Sequence, residues 1–183
     1  MLHEIAERFY MSIHIIIDGY NLIRQSNFFS PIDRRDMQLG RETLIETLAA
    51  YKRIKGHKIT VVFDGARSPS FSQSRDQIKG IKVKFSRNGE SADTVIKRMA
   101  AREKEKALVV SSDLDVMNFA ASAGCTTVTS LRFEEKITMA TYMDTKGIEP
   151  EDEGGWVPTT KKKGPRRRLS KKKRKDRIKI KKL

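Results

Sequence analysis

The sequence predicts an α/β fold: a central, mostly parallel sheet between two helical layers, followed by a disordered basic C-terminal tail. Three observations predict it. Short runs of β-branched residues alternate with segments of helical periodicity. Several of those runs end directly in an aspartate. The basic residues are unevenly spread: of 38 lysines and arginines, 15 fall in 161–183 beside a single acid, so this stretch carries +14 of the formal +15.

The first run, IHIII (13–17), reads as a buried strand. Residues 38–54 place Leu44, Ile45, Leu48 and Tyr51 on one helix face, and Gly56 ends that helix. ITVVF (59–63) is a second strand. The polar stretch 68–80 is turn-rich, with weak helix potential at best. IKVKF (81–85) alternates, as an edge or half-exposed strand does. Residues 91–103 are helical, with Val95, Ile96, Met99 and Ala100 facing inward. ALVVS (107–111) is a buried strand, 114–123 a short helix closed by Gly124, 126–128 a short strand, and 131–145 a last helix stopped by Gly147. Strands alternating with helices imply right-handed crossovers and a Rossmann-like three-layer α/β/α arrangement. The expected organisation is an N-terminal extension (1–11), a globular domain (12–146), and a linker with a tail lacking a core-forming pattern (147–183). Met11, just before the first strand, is an alternative start to Met1.

Cys125 is the only cysteine, which excludes an intramolecular disulfide and a cysteine zinc cluster and fits a reducing, cytoplasmic setting. No apolar run reaches the ~20 residues of a membrane helix, and MLHEIAERFY is too polar for a signal peptide. Neither a Walker loop nor a GxGxxG motif is present, so no nucleotide cofactor is expected. No motif sets an oligomeric state. His3, His14 and His57 are scattered and read as structural; Trp156 is expected to dock on the core.

Asp18, Asp64 and Asp113 follow three of the apolar runs. In an open parallel sheet, ligands bind at the carboxyl ends of the strands, so these acids are expected on one rim. Asp93 opens the helix after the 81–85 strand and starts near the same rim. Asp115, Glu90, Asn21 and Ser112 lie close in sequence. Carboxylates about 4 Å apart repel by roughly 4 kcal/mol at an effective dielectric near 20, so either their pKa values rise or a cation enters. Oxygen donors without nearby His or Cys favour Mg2+ or Mn2+ over zinc. Each acid also has a local role open to it. Asp113 and Asp93 suit helix N-termini, Asp18-Gly19 and Asp64-Gly65 are turn dipeptides, and Asp64 fits a supporting position.

The tail presents three basic blocks: Lys161, Lys162 and Lys163; Arg166, Arg167 and Arg168; then Lys171, Lys172, Lys173, Arg174 and Lys175. No aromatic residue lies among them, so phosphate contacts rather than base stacking are expected. RNA is the partner that this pattern suits.

Four segments in order, IIIDGYNLI (15–23), VVFDG (61–65), ESADTVI (90–96) and VVSSDLD (109–115), resemble the NYN domains of the PIN-like nuclease superfamily, most closely the YacP-like bacterial branch. The resemblance covers about residues 12–146. It implies a PIN-like fold, a divalent-metal site and endonucleolytic RNA cleavage, sometimes linked to ribosomes. By position it implies that Asp18 is the first metal carboxylate and Asn21 its polar partner. Asp93 matches the helix-borne acid and Asp113 the acid after the fourth strand, with Asp115 a further ligand candidate. Thr94 stands where many relatives carry a second acid, which favours one metal over two. Two other readings compete: a non-catalytic RNA- or ribosome-binding protein, and a phosphatase using Asp113-Leu-Asp115 as a D-x-D nucleophile motif.

Overall fold

The computed structural model describes residues 12–65, 77–87, 89–147 and 170–183. The N-terminal extension, residues 68–76, Trp156, Lys161–Lys163 and Arg166–Arg168 lie outside them.

Six strands form one sheet: β1 (His14–Asp18), β2 (Lys58–Phe63), β3 (Gln77–Ile78), β4 (Ile81–Phe85), β5 (Ala107–Val110) and β6 (Thr126–Val128). Their order is β3-β4-β2-β1-β5-β6, and every pair is parallel except β3 with β4. The two-residue β3 flanks β4, so β4 is half-exposed without being the edge. Beyond β1 the chain builds β2 and β4 on one side, then crosses back to build β5 and β6 on the other. The direction of winding therefore reverses between β1 and β5.

Alternation along the strands feeds two cores. Ile15, Ile17, Val61, Phe63, Leu108 and Val110 point into the larger one, with Leu44, Leu48, Tyr51, Phe133 and Ile137 from covering helices. Ile16, Val62 and Val109 point to the opposite face, against Val95, Ile96, Met99, Val116 and Ala120. Both faces of the sheet are thus dry, which is why the strands read as continuous apolar runs.

The helices are α1 (Gly19–Gln25), α2 (Phe29–Arg35), α3 (Met37–Lys55), α4 (Ala92–Glu103), α5 (Leu114–Ser122), α6 (Ser130–Lys146) and α7 (Lys171–Lys182). α3 starts on Asp36, whose carboxylate accepts the Gln38 and Leu39 amides, and stops at Gly56 with a left-handed φ of 70°. α1 and α2, at seven residues each, are too short to register as amphipathic periods, and the sequence pattern missed them.

The third missed helix corrects the expectation of a disordered tail. The final residues form α7, with Ser170 as its N-cap. Leu183 is 2% exposed and joins the larger core, with Ile180 packed beside it. The Tyr51 hydroxyl donates to the Leu183 carbonyl (2.8 Å) and the Thr126 hydroxyl to Asp176 (2.7 Å). His57 Nε2 lies 3.2 Å from the Lys182 carbonyl. Lys172 reaches the Ala121 carbonyl, Lys175 the Glu105 carboxylate, and Lys179 the Glu105 carbonyl. High charge density hid this helix from the sequence; these anchors offset the charge repulsion along one side of it.

Candidate active site at the carboxylate rim

The carboxyl ends of β1 and β5 flank the point where the winding reverses, the place where an open α/β sheet leaves a crevice. Asp18 is the last residue of β1 and the N-cap of α1. Its Oδ1 accepts the Asn21 amide (3.1 Å) and its Oδ2 the Ser111 hydroxyl (3.3 Å). Only 7% of Asp18 is exposed. Burial pushes its carboxyl up from 3.8 to about 6, helped by the charges of Asp93 and Asp113 and opposed by the two hydrogen bonds.

Asp113 follows β5 and caps α5, accepting the Asp115 (2.8 Å) and Val116 (3.2 Å) amides. Its own amide donates to Ser111 Oγ (3.1 Å), so Ser111 joins the two acids across neighbouring strands. Asp93 sits in the first turn of α4, half-buried. Its pKa is raised, first by burial and then by Asp113, Asp115 and Asp64, against the pull of Lys97. Asp18, Asp93 and Asp113 are therefore near enough to feel one another's charge.

Asn21 ties the rim together. Its Oδ1 accepts the Ser112 amide (2.8 Å) and the Ser130 hydroxyl (2.7 Å). Ser112 Oγ in turn accepts the Ser130 amide (3.1 Å). One side-chain oxygen thus fixes α1, the loop after β5 and the start of α6. The two glycines of the rim are set by close approach. A Cβ on Gly65 would stand 2.0 Å from the Ser86 carbonyl oxygen, and one on Gly19 would stand 2.3 Å from the Phe63 ring. Ser86 Oγ accepts the Gly65 amide (2.9 Å) and is 3.5 Å from Asp64, which places Asp64 beside a β2–β4 tie.

A family model described as the YacP-like NYN domain matches residues 15–182. The chain belongs to the YacP-like NYN family. The NYN family is part of a nuclease superfamily. The match runs beyond residue 146 and takes in α7. The "Uncharacterized protein YacP" of Bacillus subtilis is 26% identical over 86 residues, 47% of this chain and 50% of that protein, so the matched stretch spans about half of the relative. Among solved structures, a point mutant of Rae1 (YacP) from Bacillus subtilis superposes with a TM-score of 0.62 at 19% identity, over 73% of this chain and 80% of that one. Rae1 (YacP) itself gives 0.57 at 21% identity, over 75% and 80%. These structures support the fold.

Within this NYN domain Asp115 and Glu90 have cationic partners. Asp115 is exposed and ion-paired with Lys97, whose pKa is raised by Asp115, Asp93 and Asp113. Glu90 pairs with Arg98 at 2.6 Å, and that contact holds its carboxyl below the usual range. Sequence reasoning missed Lys97 and Ser130. Lys97 stands four residues after Asp93, a spacing that puts both on one helix face; Ser130 had no local signal.

The donors at the rim are all hard oxygens, a set that suits Mg2+ or Mn2+, and burial together with the neighbouring Asp93 and Asp113 makes the ionised form of Asp18 costly there. Among the described residues no group of three or more His, Cys, Asp or Glu side chains is placed to hold a metal ion. Mg2+ does not require such a group, since it keeps several waters and takes one or two carboxylates. Among the same residues, no helix is long and apolar enough to cross a membrane.

Proposed function

We propose that this NYN domain is a metal-dependent endoribonuclease that hydrolyses RNA phosphodiester bonds at the Asp18, Asp93 and Asp113 rim. The observation that carries this reading is the grouping of the three acids near the β1/β5 switch point, where burial, with a smaller contribution from charge repulsion, raises Asp18 to about 6. A pure RNA-binding surface gains nothing from such a rim, since it repels phosphates.

Asp18 and Asp113, joined through Ser111, would hold the ion, with Asp93 close enough to add its charge and Mg2+ or Mn2+ as the choice. When bound, it supplies a lowered water pKa and neutralises charge on the phosphoryl group. Asn21 and the serines around it hold Asp18 and Asp113 in register. Asp115 holds Lys97 beside Asp93, where its ammonium suits a phosphate oxygen. A water nucleophile leaves 5′-phosphate and 3′-hydroxyl ends. The basic blocks Lys161–Lys163 and Arg166–Arg168, with Lys171, Lys173 and Arg174, would supply non-specific attraction to RNA, while Lys172 and Lys175 are engaged by the body.

The test is cleavage of end-labelled single-stranded RNA with Mg2+, Mn2+ or EDTA, with and without added ribosomes, comparing the native chain with Asp18→Asn. Metal-dependent cutting with 5′-phosphate products, lost in the variant, is expected. Ends carrying 2′,3′-cyclic phosphate would contradict the water mechanism. Tight RNA binding with no cutting under every condition would favour a binding protein.

A further inference from the structure

We propose that the outward side of α7 is a second RNA-backbone surface at the end of the molecule opposite the carboxylate rim. It would grip a segment of structured RNA away from the bond that is cut. The inference rests on the RNA reading above.

The fold places the two surfaces apart. Every anchor of α7 lies at the amino ends of the parallel strands. Glu105 precedes β5, Thr126 opens β6, and His57 precedes β2. Ala121 and Tyr51 belong to the final turns of helices that run down from the rim. Asp18 and Asp113 stand at the carboxyl ends. The five residues of β1 alone separate the two ends by roughly 16 Å, at about 3.3 Å per residue. A phosphate gripped by α7 is therefore not the one attacked at the rim.

The helix has two sides. Lys172, Lys175, Asp176, Lys179 and Leu183 recur at helical spacing and are the residues that hold the body. Lys173, Arg174 and Arg177 fall on the other side and are exposed. Among the described residues no ion pair engages these three side chains. They form an exposed basic ridge.

The ridge suits an RNA backbone. No aromatic residue occurs in Lys171–Lys182, so bases have nothing to stack on, whereas ordered cations suit phosphates. A membrane surface fits less well. A helix lying on lipid turns its apolar side outward, whereas Ile180 and Leu183 here turn into the core and Ile178 alone of the helix's apolar residues is exposed.

The test uses the full chain carrying Asp18→Asn, so that RNA survives the titration. Lys173→Gln, Arg174→Gln and Arg177→Gln are added together; glutamine keeps helix propensity. Binding of a fluorescent RNA hairpin longer than the protein is followed by anisotropy across a salt series. Affinity should fall about tenfold or more and the log–log salt slope by roughly two to three, because about three phosphates are no longer neutralised. Unchanged affinity and slope would overturn the proposal. Equal binding to anionic phospholipid vesicles, abolished in the same variant, would overturn it in favour of a lipid surface. A crosslinker on Arg177→Cys, with Cys125 buried, should attach to nucleotides remote from the cut in the native-site chain; attachment confined to the cut position would refute the separation. Binding is read without cleavage, so a native chain that fails to cut RNA would sink the nuclease reading while this measurement still decides the surface.

Discussion

Asp18 closes a strand, caps a helix and contributes a buried negative charge. Asp18→Asn keeps an oxygen for the Asn21 amide and deletes the charge. A carboxyl raised in the fold is protonated there before it is protonated in the unfolded chain. Its ionised form therefore costs stability at pH 7, and the cost fades as pH falls from about 6 toward 3.8. Asp18→Asn is expected to be more stable than the native chain by about 1–3 kcal/mol at pH 7, with no difference below pH ~4, as read by urea unfolding without divalent metal. A less stable variant at pH 7 would show the charge to be compensated. Asn21→Ala leaves the half-buried Ser112 amide and the Ser130 hydroxyl without their acceptor and is expected to cost about 1–3 kcal/mol. Acids directly after apolar runs were legible in the sequence, because strand ends are local features. The Asn21 partners were not, since they lie 91 and 109 residues away.

At the level of elements, the strands and the long helices were legible because their periodicity is set by burial on one or both faces. α7 was not: its mean composition reads as a solvated tail, and six side-chain contacts with one buried leucine decide otherwise. Leu183→Ala is expected to lower stability by about 2 kcal/mol, and Tyr51→Phe by about 1 kcal/mol through loss of the hydroxyl bond to residue 183. Native-state hydrogen exchange should then show α7 amides exchanging faster in both variants while β1 and β5 stay protected. Uniform loss of protection would mean that α7 is an integral part of the cooperative core.

The whole molecule separates two charge environments, an acidic rim at one end of the sheet and a basic helix at the other. Two buried histidines at the basic end add their own pH dependence to stability. His14 Nδ1 lies 2.6 Å from Glu103 and Nε2 lies 2.8 Å from Thr60 Oγ1. Burial lowers the pKa of His14 below 6.5 even beside Glu103, and burial lowers that of His57 as well. The unfolded chain therefore takes these protons first, so their contribution is full above pH 6.5 and is lost as pH falls below it. The Asp18→Asn chain, free of the opposing effect of Asp18, should show a thermal midpoint that drops steadily from pH 7 to pH 5; a midpoint that rises would contradict this assignment. RNA cleavage at the proposed rim is decided by incubating end-labelled RNA with the native chain and with Asp18→Asn, with Mg2+ or Mn2+ against EDTA. Cutting that needs both the metal and Asp18 is the expected result, and an Asp18→Asn chain that cuts as fast as the native one would contradict it.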